Sequence, residues 1–130
     1  MNAEPVFVYG TLRRGGSNHF RMEGADFIGT GKIAGRIHRI DWYPALVCGG
    51  ESAVKGELYH VCGEHLHALD VFEGINPDSD APREYRRVKV GVILVTGDRA
   101  DAWVWEWIGG LDGAEPLDGD DWLAYEPNPS

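Results

Sequence analysis

The chain has 130 residues, 43% hydrophobic and 25% charged, which suits one globular domain around one core. Its formal net charge of -9 argues against a nucleic-acid partner, which needs clustered Lys and Arg, and against docking on anionic membranes. No apolar run approaches the roughly 20 residues that span a bilayer, and Met1 to Pro5 lacks the pattern of a signal peptide, so a cytosolic protein is expected.

Val6 to Tyr9 is short and apolar, as a buried strand should be. It runs into "GTLRRGGSNH", a polar loop from Gly10 to His19. Two readings of this loop stay open. It is a polar turn with solvated Arg13 and Arg14, or the backbone N–H groups from Tyr9 to Leu12 point into a cleft and bind an anion. A second strand pattern, Phe27 to Ile40, is interrupted by Gly29, Gly31 and Gly35. Such glycines suggest bulges or barrel corners. "GTGKIAG" there lacks the spacing of a phosphate loop, and no helix follows it. Tyr43 to Val47 reads as a turn into a short strand, and Val54 to Val61 as a separate strand.

The period then changes. Leu66, Leu69 and Phe72 can share one face of a helix over Glu64 to Phe72, with Gly74 as its stop. His65 and His67, two apart, point in different directions and cannot chelate one metal from one face. Glu73 falls at the C-terminal end of this helix, where the macrodipole disfavours an anion. Asp70 has the same awkwardness. Both are solvated terminal carboxylates or the sign of a functional site. Ile75 to Glu84, rich in Pro and Asp, forms a loop. Tyr85 to Val95 and Asp101 to Trp107 read as strands. In the second, Trp103, Trp105 and Trp107 share one face, either buried or offered as a stacking platform. From Gly109 the chain is acidic, with a short helix around Asp120 to Tyr125. Asp118, Asp120 and Asp121 lack the twelve-residue calcium-loop pattern and read as a solvated tail. Cys48 and Cys62 are expected to be free and buried.

Many strands, few helices and no βαβ alternation indicate an α+β protein. A small mixed sheet curled into a β-barrel explains the strand glycines. The whole chain, 1–130, reads as a single domain with residues 110–130 as an acidic tail.

Five segments in order resemble the γ-glutamylcyclotransferase-like superfamily, and especially its AIG2-like branch with the γ-glutamylamine cyclotransferases. They are "FVYGTLRRG", "YPALV", "VKGELYHV", "LDVFEG" and "YRRVKV", with "AWVWEW" in the place of a later strand. The resemblance implies a small mixed β-barrel flanked by short helices. It implies that a γ-glutamyl α-amine attacks its own γ-carbonyl to give 5-oxoproline and a free amine or amino acid, with no metal or organic cofactor. It implies that Tyr9, Gly10, Thr11 and Leu12 bind the substrate through backbone amides, that Glu73 is the catalytic acid–base, and that Tyr85 lies near it. Arg13 and Arg14 are weaker candidates for reinforcing the grip on substrate. The long acidic loop after Gly74 departs from the family pattern and is placed to reshape or cover the cleft, and the tail after Trp107 matches nothing specific. Two alternatives stand beside this reading: a non-catalytic small-molecule binding module on the same fold, or a pathway-specific cyclotransferase that removes a γ-glutamyl protecting group from a larger intermediate. A purely structural interaction protein has only the tryptophan strand in its favour.

Overall fold

The computed structural model describes residues 3–16, 18–40, 43–73, 85–111, 114–116 and 122. In chain order these form β1 (Glu4–Val8), a 3-10 helix (His19–Met22), β2 (Asp26–Ile40), β3 (Tyr43–Val61), α1 (Gly63–Phe72), β4 (Tyr85–Leu94), β5 (Arg99–Trp107) and β6 (Glu115–Pro116). The sheet order is β3-β1-β5-β4-β2, and β2 pairs back onto β3, so five strands close a barrel with β6 added on the outside of β2. The β1–β5 pairing is parallel and the others antiparallel, which makes the barrel mixed. The α+β β-barrel expected from the sequence is therefore the observed fold. Among the described residues no helix is long and apolar enough to cross a membrane.

The β2–β3 hairpin is the longest ladder. Its register slips between Phe27 and Gly29 and again between Ala34 and Gly35, at two of the three glycines that interrupt the sequence pattern. Tyr43–Val47 and Val54–Val61 are one strand, not two. Cys48 pairs with Gly35 and Ala53 with Ala34, so residues 49–52 bulge out while the ladder resumes in line. Gly49 and Gly50 turn this excursion at φ of 91° and 86°, where a side chain would be strained.

Alternation along each strand fills the barrel from inside. Phe7 and Tyr9, Ile33 and Ile37, Leu46, Val54 and Leu58, Val92, Ala102 and Val104 form one core. Trp122 joins it, fully buried, so the C-terminal segment expected to lie in solvent sends a tryptophan into the barrel. The rest of the expected helix at 120–125, and the loop Ile75 to Glu84, lie outside the described residues.

The other faces of β1, β3 and β5 are buried as well, because α1 covers them. Val6, Val8, Tyr59, Val61 and Trp105 pack against Leu66 and Leu69. A ten-residue helix is marginal alone. Burying two leucines contributes roughly 1.5–3 kcal/mol each, enough to hold it. Glu64 in the first turn suits the helix dipole, and no basic residue occupies the last turn. Cys62, the residue before the helix, is exposed, and Cys48 is only half-buried, which corrects the expectation that both are buried. A thiol next to a helix end has no apolar layer above it.

Candidate functional site

Glu73 caps α1, and its N–H donates to the Leu69 carbonyl at 3.0 Å. The sequence placed it at a helix end, and the tertiary structure adds stronger effects. Burial, and secondarily the charge of Asp70, push its carboxyl up to about 7. Asp70 is buried, not solvated. It accepts the Trp105 indole N–H at 2.9 Å and pairs with Arg87 Nε at 3.5 Å. The tryptophan face of β5 is thus a buried wall of this region, with Trp105 reaching beneath the helix.

Tyr9 leads out of β1 at the same end of the barrel. Its hydroxyl donates to the Trp105 carbonyl at 2.8 Å. Burial raises it well above its ordinary value, and the charges of Tyr85, Glu73 and Cys48 add to the effect, so these four groups share one patch. The hydroxyl stays protonated. Tyr85 opens β4, donates to the Pro44 carbonyl at 2.7 Å, and sets its ring edge-on to Trp107 at 5.2 Å. The Cys48 thiol is pushed up to about 12 by burial and the neighbouring Glu106, which leaves it protonated and a poor nucleophile.

Gly10 lies against Pro44, where a Cβ would come within 2.6 Å of Cγ. Only glycine fits, and the "YGTL" and "YPALV" segments are thereby pressed together. From there the loop turns tightly. The Arg13 N–H donates to the Gly10 carbonyl at 3.1 Å, and the Asn18 N–H to the Thr11 carbonyl at 2.9 Å. A trans peptide holds C=O and N–H on opposite sides. With the Gly10 and Thr11 carbonyls turned into the loop's own bonds, the N–H groups of Thr11 and Leu12 point the other way, and no acceptor takes them among the described residues. Leu12 anchors the loop by burying its side chain in the layer under α1.

Arg13 corrects the sequence reading, since it is buried and not solvated. Its Nε lies 3.4 Å from Glu57 Oε2, while Arg14 stacks on the Phe27 ring at 3.8 Å. Two buried carboxylates were missed. Glu57 receives this loop, and Glu106 receives the Cys48 N–H at 2.8 Å and Arg86 Nη2 at 2.7 Å. A signal existed. Glu106 is the lone charge in the apolar "AWVWEW", and Glu57 stands between Gly56 and Leu58 in "VKGELYHV", where Lys55 is the other charge. A separate open hollow of about 340 Å³, lined by Arg14, His19, Phe20, Phe27 and Tyr59 among others, includes none of Tyr9, Glu73 or Tyr85. Among the described residues no group of three His, Cys, Asp or Glu is arranged to hold a metal ion.

Comparison with known proteins gives a consistent result. Residues 6–124 match a family described as "Gamma-glutamyl cyclotransferase, AIG2-like". The match runs well past Trp107 and takes in Trp122, so the C-terminal segment belongs to the shared pattern. A protein of Methanocaldococcus jannaschii, which carries the name gamma-glutamylcyclotransferase as a provisional assignment, is 37% identical over 105 residues, 78% of this chain and 82% of that protein. A Bos taurus protein named gamma-glutamylaminecyclotransferase is 34% identical over 103 residues, 69% of this chain and 56% of that protein. Among solved structures, an AIG2-like protein of Mus musculus superposes with a TM-score of 0.68 at 30% identity, covering 82% of this chain and 78% of that one.

Proposed function

The chain belongs to the AIG2-like gamma-glutamyl cyclotransferase family, and from that premise we propose that it converts a γ-glutamyl amine or amino acid into 5-oxoproline, with Glu73 as the acid–base. The α-amine nitrogen attacks the γ-carbonyl carbon of the same residue. The new C–N bond closes the five-membered lactam, the γ-amide C–N bond breaks, and the proton lost by the amine ends on the departing nitrogen.

The carrying observation is the Glu73 carboxyl. An α-amine has a pKa of roughly 8 and an ordinary glutamate about 4.3, a mismatch that makes a poor base. At about 7, Glu73 nearly closes the gap while remaining largely available to take the proton. The same group then returns it to the leaving nitrogen. Acid–base help of this kind is worth roughly 10²- to 10⁴-fold. The Thr11 and Leu12 N–H groups supply a grip for the substrate's α-carboxylate. That grip folds the substrate so that amine and γ-carbon approach, which is the other half of the rate. Tyr9 and Tyr85 shape the wall, their hydroxyls engaged by the Trp105 and Pro44 carbonyls.

The test is purified protein with γ-glutamyl amino acids, glutathione and γ-glutamyl-ε-lysine, scored for 5-oxoproline. Wild type should turn over at least one class, and Glu73→Gln should lose roughly 10²-fold or more in kcat. Near-normal activity in Glu73→Gln removes Glu73 from the mechanism. No turnover of any γ-glutamyl compound, with 5-oxoproline still bound, favours the binding module.

A further inference from the structure

The arginines of "GTLRRGG" take no part in the chemistry above, yet one of them belongs to an ion pair buried on both sides. Arg13 is 5% exposed and its partner Glu57 6%. The two lie 44 residues apart in sequence. Glu57 projects from β3 next to the end of β1, where it pairs with Val8. Its Oε2 faces Arg13 Nε at 3.4 Å. Its Oε1 accepts the Arg14 backbone N–H at 3.0 Å and the Tyr59 hydroxyl at 2.9 Å. A buried carboxylate is tolerated only when its lone pairs are occupied in this way.

Residues 13 and 14 directly follow the Thr11 and Leu12 amides. Holding them to β3 fixes the exit of the turn. Its far side is held by Asn18, whose Nδ2 donates to Thr11 Oγ1 at 3.0 Å, and by His19, whose Nδ1 donates to the Leu12 carbonyl at 2.9 Å. The loop is therefore clamped on both flanks, and Glu57 is the point where side chain and backbone of the "RR" pair converge. Arg13 also neutralises Glu57, so that no unpaired anion stands behind a loop that receives one.

We propose that Glu57 is the positioning residue of the substrate loop: by holding Arg13 and Arg14 to β3 it fixes the Thr11 and Leu12 N–H groups in the direction that takes the α-carboxylate of a γ-glutamyl substrate. The identity of that ligand rests on the cyclotransferase reading, whereas the clamp does not. In this assignment Glu57 touches the loop and not the reacting atoms, so its loss acts on binding and not on proton transfer.

The experiment uses the full chain with Glu57→Gln and, separately, the double variant Glu57→Gln with Arg13→Met. The single change removes the charge that faces a buried arginine. The double change removes both charges and is the one expected to fold if the single does not. Two readouts are taken: steady-state kinetics across pH, and residue-level amide hydrogen exchange of Arg13 and Asn18, whose N–H groups close the loop onto the Gly10 and Thr11 carbonyls. In either folded variant KM should rise roughly 10- to 100-fold, the range for losing one hydrogen bond to a charged group. The kcat should stay within a few-fold, the pH limb set by Glu73 should not move, and both amides should exchange faster. Unchanged KM overturns the proposal, and so does a fall in kcat with a moved limb, which would put Glu57 in the proton chemistry. Unchanged exchange in a folded variant overturns it whatever the activity. If wild type turns over no γ-glutamyl compound, the cyclotransferase reading fails, and the exchange readout decides the clamp by itself.

Discussion

Replacing Glu73 with Gln should stabilise the protein at alkaline pH and leave it almost unchanged in acid. The folded carboxyl titrates near 7 against an ordinary 4.5, chiefly because burial disfavours the anion and secondarily because Asp70 stands one helical turn away. Between those two values the native state holds a proton that the unfolded chain has released. Stability from Glu73 is therefore fully present below about 4.5 and is lost as pH rises through about 7. At about 1.36 kcal/mol for each tenfold change in proton affinity, the wild-type penalty approaches ~3 kcal/mol above pH 8 and is under ~1 kcal/mol at pH 5. Glutamine carries no charge and escapes it. Paired urea melts of wild type and Glu73→Gln at pH 5 and pH 8.5 read this directly, because every group that does not sense the Glu73 charge cancels in the difference. A variant-minus-wild-type difference that is the same at both pH values would refute the reasoning, and with it the argument that this carboxyl is tuned toward an amine. A carboxylate kept at such a cost is expected of a working group more than of a packing one.

Asp70→Asn removes the second cause and keeps the first, so the acid limb of kcat/KM should move to lower pH without reaching an ordinary glutamate; a pH–rate profile checks it, and an unmoved limb contradicts the coupling. Gly10→Ala places a methyl where Pro44 Cγ would be 2.6 Å away. It should cost about 1–3 kcal/mol by overpacking and raise KM through the displaced loop, read by thermal melts and kinetics together. Trp122→Ala empties a fully buried position in the barrel core and should cost about 3–5 kcal/mol in urea denaturation; a loss under about 1 kcal/mol would mean that the core closes without it.

Much of the frame was legible in the chain. The strand segments, the glycines at the β2 register slips, the shared face of Trp103, Trp105 and Trp107, and Glu73 at a helix end all follow from local periods of two and 3.6 residues and from breaker residues. The division of β3 into two strands was wrong for a local reason. Gly49 and Gly50 look like an ending, yet the partner strand carries the ladder across the bulge. Arg13 was misjudged because arginine after a turn is ordinarily solvated, and nothing near it in sequence announces Glu57.

The backbone menu and the likeness to a family are carried by the chain alone, because both depend on neighbours a few residues away or on the order of short motifs. The closed fold set the charges. It set Glu73 to about 7, buried Asp70 under Trp105, tied Arg13 to Glu57, and joined Tyr9 to the Trp105 carbonyl, 96 residues away in the chain. It also drew Trp122 into the core. The cost of a buried charge and the worth of its partner depend on distance and on excluded water. Both are properties of the closed barrel, and no window of sequence contains them.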